Sequence, residues 1–405
     1  MSWETVRLGD VSESCLGKML DQEKNKGEFQ PYLANLNVRW GGFDLDDLPE
    51  MKFEEHEEER YGLKYGDLVI CEGGEPGRCA IWKDQIPNMK IQKALHRVRA
   101  NSEMDYRYLF YWFLLAGKNN SLDQYFTGAT IKHMPGQKLK QVVVDKPPFE
   151  IQKRIADILS AYDDLIENNQ RQIKLLEEAA QRLYKDWFVD LRFPGQENTS
   201  IIDGVPQGWR KSVFLDVFTF VRGKSYTSKE LSENDGVLMV NLKNIRAYGG
   251  YKRNAEKRFT GAYKEEQLLT GGDVVMGVTD MTQERRLVGH VALIPSFNEK
   301  MIFSMDLIKL IPCSVSKNYL YCALRYGGYS EQIALLANGV NVLHLKPEAM
   351  MKMEMLVPEK NTMRDFDIKF EAIRLKIEAL ETQCDLAAQA RDRLLPKLMS
   401  GELDV

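Results

Sequence analysis

The chain carries most of its sequence twice. Sliding it against itself by roughly 210 residues brings the two halves into register along their length, and a period that long excludes a solenoid, whose units span about 20 to 50 residues. Trp3, Leu8 and Asp10-Val11 recur as Trp209, Leu215 and Asp216-Val217. Gly17-Lys18 recurs as Gly223-Lys224, and Leu63, Gly66, Asp67 and Val69 recur as Leu269, Gly272, Asp273 and Val275. Further on, Gly77-Arg78-Cys79-Ala80-Ile81 answers to Gly289-His290-Val291-Ala292-Leu293, and Tyr108-Leu109 to Tyr319-Leu320. Thr127-Gly128-Ala129-Thr130 with His133 answers to Asn338-Gly339-Val340-Asn341 with His344. A chain of 405 residues has room for two to four domains, so the repeat is a duplicated domain with a trailing segment behind each copy.

Both trailing segments are helical in pattern. Ile155, Tyr162, Asn169, Leu176 and Leu183 form one seven-residue series, and Leu159, Ile166, Ile173, Ala180 and Trp187 a second. The other half supplies Phe366, Ile373, Leu380, Ala387 and Leu394 with Phe370, Ile377, Cys384, Arg391 and Leu398. A surface helix shows a broader stripe that drifts from strict sevens, whereas sustained a and d positions predict a coiled coil. Asn169 and Arg391 are the polar exceptions, of the kind that fixes register at some cost in stability. A helix of about 40 residues is about 60 Å long, and antiparallel pairing would hold the two domains apart at a fixed distance.

Phe193-Pro-Gly-Gln-Glu-Asn-Thr-Ser breaks the first helix and reads as a linker. The expected order is a domain over 1–149, a helix over 150–192, a linker over 193–207, a second domain over 208–358 and a second helix over 359–405. Inside each domain, Val- and Ile-rich runs such as Asp67-Leu-Val-Ile, Asp273-Val-Val-Met and Gln141-Val-Val-Val predict strands. Residues 106–117 and 317–327 predict short helices with aromatic faces. The expected class is α+β: two similar mixed α/β domains separated by two long antiparallel coiled-coil helices, with an internal pseudo-twofold repeat.

Several catalytic readings fail on the residues. Asp145-Lys-Pro-Pro-Phe149 comes close to the Asp-Pro-Pro-aromatic loop with which a methyltransferase holds the amino group of a flipped base. Lys146 interrupts it, however, and a lysine cannot accept that amino hydrogen. The matching segment Met355-Leu-Val-Pro-Glu lacks the double proline, and no Gly-x-Gly-x-x-Gly occurs. The prolines fit a helix start better, with Glu150 at the positive end of the dipole. No Walker loop, metal-ligand spacing or Cys-x-x-Cys pair is present among the five histidines and six cysteines. Glu72-Gly-Gly-Glu-Pro-Gly-Arg would repel phosphate and reads as a turn. The start lacks a signal peptide and no stretch approaches about 18 unbroken apolar residues, so a cytoplasmic protein without a membrane partner is expected.

The net charge of -4 averages regions of opposite sign. Residues 44–59 hold nine acids against one Lys and read as a solvated face, whereas residues 83–140 have ten Lys and Arg against four acids and residues 210–258 eleven against five. One basic region in each half suits nucleic acid, where cations anchor phosphates and amides or aromatics meet bases. The candidates are Lys18, Arg39, Trp40, Lys132 and His133 in the first domain. In the second they are Arg222, Lys224, Lys243, Asn244, Arg246, Arg285, Arg286 and His344. Gly17-Lys18/Gly223-Lys224 and His133/His344 stand out because they recur in both copies.

Pro147-Pro148-Phe149-Glu150-Ile151-Gln152-Lys153-Arg154-Ile155, opening the first long helix, resembles the Pro-Pro-Leu-x-x-Gln-x-x-Ile signature of type I restriction-modification specificity subunits. The likeness extends through Leu176-Glu-Glu to Tyr184-Lys185-Asp186-Trp187-Phe188-Val189-Asp190, and to Leu394-Leu395-Pro396-Lys397-Leu398-Met399-Ser400-Gly401-Glu402-Leu403. The second helix departs from it, since Glu359-Lys-Asn-Thr-Met-Arg-Asp-Phe lacks the Pro-Pro and the Gln. The resemblance implies a non-catalytic DNA-specificity subunit. Each domain would read one half of a bipartite double-stranded site, and the helices would set the gap. They would also dock two methyltransferase subunits and, through them, restriction subunits. S-adenosylmethionine, ATP and magnesium would sit on those partners and none on this chain. A fused adenine methyltransferase-specificity enzyme or a coiled-coil protein scaffold are the alternatives; the first would need cofactor and catalytic motifs that the chain lacks.

Overall fold

A computed structural model describes residues 3–21 and 25–405, and its contacts divide the chain into two units, Met1–Asn169 with Gln383–Val405 and Gln170–Thr382. In the first unit, β1 (Ser12–Leu16), β2 (Leu68–Cys71), β3 (Cys79–Ile81) and β4 (Leu95–Ala100) form an antiparallel sheet in the order β1-β4-β2-β3. Its centre is covered on both faces, which is why β2 reads as an unbroken Leu-Val-Ile-Cys run instead of alternating. Leu68, Ile70, Cys79 and Val98 pack into one core cluster, and Val69, Cys71, Ala80 and Leu95 into another. A smaller sheet pairs Glu28–Leu33 antiparallel with Glu50–Phe53 and parallel with Lys90–Ile91.

Helix α1 (Tyr106–Lys118) starts at Asp105, whose carboxylate accepts from the amides of Arg107 and Tyr108. Its aromatic face is buried through Tyr108 and Phe113, and the Tyr108 hydroxyl donates to the Asp145 carbonyl at 3.2 Å. Helix α2 (Phe149–Tyr184) starts directly after Pro147-Pro148. Gln152 in its first turn is fully buried and satisfied. It accepts from the Asp105 amide at 2.9 Å and donates to the carbonyls of Pro147 (2.9 Å) and Glu103 (3.2 Å), so this one amide locks the helix start to the domain. Lys146, between Asp145 and the prolines, ion-pairs with Glu103 at 2.5 Å.

The second unit repeats this plan. β5 (Phe218–Arg222), β6 (Val274–Gly277), β7 (Val291–Leu293) and β8 (Leu307–Pro312) form an antiparallel sheet in the order β5-β8-β6-β7. The alternation is also the same, with Val274, Met276 and Val291 in one cluster and Val275, Ala292 and Leu307 in another. Val237–Val240 pairs antiparallel with Lys257–Phe259 and parallel with Met301–Phe303, repeating the smaller sheet. Helix α3 (Lys317–Tyr326) is capped by the Ser316 hydroxyl, and Tyr319 donates to the Leu356 carbonyl as Tyr108 does to that of Asp145. Helix α4 (Lys360–Met399) follows the second domain's last strand, Glu354–Val357. The expected linker is not bare: the Phe193 ring lies tilted against that of Trp209, 4.8 Å between centres, and Ile201–Ile202 pairs with Val205–Pro206.

Both long helices run without interruption through the two units. In the first unit, Ile155 and Leu159 of α2 share a core with Leu395 and Leu398 of α4. Asp163 ion-pairs with Arg391, and the Asn169 amide donates to Gln383 at 3.2 Å. The numbers rise on α2 as they fall on α4, so the segments pair antiparallel. In the second unit, Ala180, Tyr184 and Trp187 pack with Phe366 and Phe370, and the π-turn Lys185–Val189 at the end of α2 places Phe188 4.9 Å from Phe366. Tyr162, Ile166, Leu176, Leu183, Ile373, Ile377 and Leu394 are half-buried, and Asn169, Ile173 and Leu380 buried, as a seam requires. Arg391 also has a purpose outside the seam, because its partner Asp163 accepts from Tyr111 of α1 at 2.5 Å.

Candidate nucleic-acid interface

The thirteen candidate side chains divide into those the fold consumes and those it presents. Lys18 is consumed. It is 3% exposed, and its ammonium donates to Glu57 at 2.5 Å and to the Lys52 carbonyl at 2.9 Å, 5.0 Å from the Phe53 ring centre. Burial pushes the Glu57 carboxyl up, but its hydrogen bonds to Lys18 and the Glu54 amide outweigh this and hold it below the usual range. The acidic run is therefore not only a solvated face: Glu57 and Glu58 neutralise two buried lysines, Lys18 and Lys90.

The backbone accounts for the recurrence of Gly-Lys. The amides of Gly17 and Gly223 donate to the carbonyls of Leu95 and Leu307, and those of Lys18 and Lys224 to the carbonyls of Ile91 and Phe303. A Cβ on Gly17 would sit 2.5 Å from the Gln92 carbonyl carbon, and one on Gly223 2.0 Å from the Ser304 oxygen. Only glycine allows so close an approach. Lys224 is half-buried beside the Phe259 ring.

Asn244 is likewise spent inside the domain. Fully buried, it accepts from the Asn241 amide at 3.0 Å and donates to the Lys252 carbonyl (2.9 Å) and Glu256 (3.0 Å). Asn37 staples the matching turn of the first domain through the Ala34 amide and the Asp44 carbonyl. Arg246 turns toward the long helices, pairing with Glu177 at 3.4 Å and Glu381 at 3.3 Å, while Arg253 adds a second contact to Glu381 at 3.1 Å. Burial pushes the Glu381 carboxyl up against the pull of Arg253 and Arg246.

The others reach the surface. Arg39 is exposed, donates to the Leu36 carbonyl and pairs with Asp44 at 3.6 Å. Arg222 is exposed and pairs with Glu348 at 2.7 Å, and Lys243 is exposed. In the first domain Trp40 and Lys132 line one cleft with Glu75, Phe126 and Ile131. The Trp40 indole donates to Glu75 at 2.6 Å, and Lys132 pairs with Asp123 at 2.8 Å above the Phe126 ring. His133 brackets the adjoining loop, exchanging two 2.8 Å backbone bonds with Thr127.

His344 brackets the corresponding loop of the second domain by the same exchange with Asn338. Beside it, Arg285 and Arg286 stand on a loop organised by Asp280. That buried carboxylate accepts from the Thr282 amide (2.8 Å), the Thr282 hydroxyl (2.8 Å) and the amides of Leu287 (2.6 Å) and Val288 (3.2 Å). Burial raises its pKa, and these bonds more than reverse the effect, so it stays below 3.8. Gln283 joins the two loops through the Val340 carbonyl at 2.8 Å, and exposed Tyr248 donates its amide to the Arg286 carbonyl at 2.8 Å. Sequence reasoning missed Asp280, Gln283 and Tyr248, which lie outside any period. Among the described residues no cluster of His, Cys, Asp or Glu is arranged to hold a metal ion, and no helix is long and apolar enough to cross a membrane.

A sheet-and-loop module is built twice, and each copy packs on segments of both long helices. Residues 1–178 match the type I restriction modification DNA specificity domain. The type I restriction enzyme MjaIX specificity subunit of Methanocaldococcus jannaschii is 26% identical over 84% of this chain and 78% of its own length. The MjaVIII specificity subunit of the same organism is 24% identical over all of this chain and 93% of its own. In fold, the chain is similar to the crystal structure of the type I restriction-modification system S subunit from M. genitalium, with a TM-score of 0.59, 15% identity and coverage of 98% and 96% of the two chains. The chain is thus similar over residues 1–178 to the specificity domain, and over most of its length to specificity subunits of type I restriction enzymes.

Proposed function

We propose that this chain is a DNA specificity subunit of a type I restriction-modification system that reads a bipartite double-stranded site, one half with each domain, while its two long helices set the unread gap. The observation that carries this reading is the duplication. The same four-stranded sheet with the same bracketed loop occurs in each unit, yet the loop side chains differ, which suits two different half-sites. The uninterrupted run of α2 and α4 through both units supports their role as a ruler. The exposed cations Arg39, Lys132, Arg222, Lys243 and Arg286, with half-buried Arg285 beside them, anchor phosphates, and Trp40, His133 and His344 meet bases. Lys18, Asn244 and Arg246 hold the frame, with Lys224 beside them.

In this reading the chain contributes recognition and not chemistry. The helices dock two methyltransferase subunits, which carry S-adenosylmethionine, and through them restriction subunits that use ATP and magnesium in the cytoplasm. The test maps methylated sites genome-wide after residues 1–145 are exchanged for those of a relative: one half-site changes and the other stays. A change in both halves would sink the modular picture. Inserting seven residues near Asn169, matched in α4, adds about 10 Å of rod and lengthens the gap by roughly three base pairs. An unchanged gap would count against the ruler.

A further inference from the structure

The second domain's two surface loops are built stiffly yet hold out apolar side chains. Residues 280–288 wrap the Asp280 carboxylate, residues 338–344 are closed by the Asn338–His344 exchange, Thr279 pairs with His344 in a short ladder, and Gln283 ties one loop to the other. From this scaffold Met281 projects 79% exposed and Val340 85% exposed. Leaving a Met or Val side chain in water forgoes the free energy that burial would return. The same two loops also carry exposed Arg286 and His344, with Arg285 half-buried. In the first domain the equivalent bracketed loop holds out Ile131, 64% exposed.

A surface that combines cations with fixed apolar tips fits a polyanion that offers apolar groups at known positions. In duplex DNA the 5-methyl group of thymine is such a group, and it lies in the major groove alone. The Nε2 of Gln283 is committed to the Val340 carbonyl, so the paired bonds with which a glutamine reads adenine are not open to it. We propose that Met281 and Val340 read thymine methyl groups in the major groove of the half-site bound by the second domain. This rests on the DNA-recognition reading above and adds to it the chemical class of the bases read.

The test uses the full chain assembled with its methyltransferase subunits, and duplexes carrying the mapped recognition sequence. Thymines of the second half-site are replaced one at a time by deoxyuridine, which removes the methyl and nothing else. At least one replacement is expected to weaken binding about four- to tenfold, as expected for one or two apolar groups leaving a contact. The Met281→Ala, Val340→Ala double variant, which leaves Asp280 and Gln283 in place, binds the thymine and uracil duplexes equally. Specific binding indifferent to every such replacement would overturn the proposal, and so would a half-site without an A·T pair or a uracil effect undiminished in the double variant. Binding with no preference among any duplexes would overturn the recognition reading itself, and the proposal with it.

Discussion

Lys18 separates an interior role from a DNA contact, and Lys18→Met tests the difference. Methionine keeps the unbranched stem that fills the site but removes the ammonium that binds Glu57 at 2.5 Å and the Lys52 carbonyl at 2.9 Å. A hydrogen bond to a charged group is worth about 1.5–3 kcal/mol, and an orphaned buried carbonyl costs about 1 kcal/mol. Part of this returns because no charge need be desolvated. The net loss is about 2 kcal/mol. For a unit of this size each kcal/mol shifts Tm by about 2–4 °C, so calorimetry should show the first-domain transition falling by about 4–8 °C. A phosphate anchor behaves otherwise, because its removal lowers the slope of log affinity against log salt by about 0.9. Fluorescence anisotropy of the assembled complex with a specific duplex between about 50 and 200 mM salt should find that slope unchanged for Lys18→Met and reduced for Lys132→Met, the exposed counterpart. An unaltered Tm together with a slope lowered by about 0.9 in Lys18→Met would refute the interior assignment.

The seam and the loop give two more expected outcomes. Asn169→Leu replaces a buried amide by a hydrocarbon at the antiparallel seam, so stability should hold or rise by about 1 kcal/mol while register specification weakens. Hydrogen exchange along α4 should then become heterogeneous, and a loss above about 2 kcal/mol would contradict this. Asp280 has a folded pKa below its unfolded value of 3.8. Its stabilisation is therefore complete above that value and lost as pH falls through the folded one. Exchange protection of the Leu287 and Val288 amides should persist down to about pH 4 and collapse below it, whereas Asp280→Asn should lose most of it at every pH; full protection in that variant would remove the carboxylate from its central place.

Periodic features of the fold were legible in the sequence because period survives without context. The heptads place Ile155, Leu159, Phe366 and Phe370 on the seam, and the long repeat anticipates two sheets of one topology. Even the Pro-Pro helix start can be read, although the reason for Gln152 emerges only when Asp105 and Pro147 are brought beside it. The candidate surface was legible only in part. Recurrence of Gly17-Lys18 and Gly223-Lys224 was a true signal with another cause, the approach of backbone to backbone, and a lysine's burial depends on partners far away in sequence such as Glu57. Asn244 has the composition of a base reader and the surroundings of a turn staple. Asp280, Gln283 and Tyr248 escaped notice because a loop's organisation is written in no period at all.

The self-contained bonding of the 280–288 loop bears on how such a chain can change over generations. Its carboxylate hub fastens backbone amides, while the Met281 and Arg286 side chains are exposed. Surface substitutions away from structural hubs usually shift stability by no more than about 0.5 kcal/mol. Drift in these exposed positions is therefore nearly free of folding cost, and if they read DNA as proposed, a lineage can pass from one target word to another through single changes that each leave the fold intact.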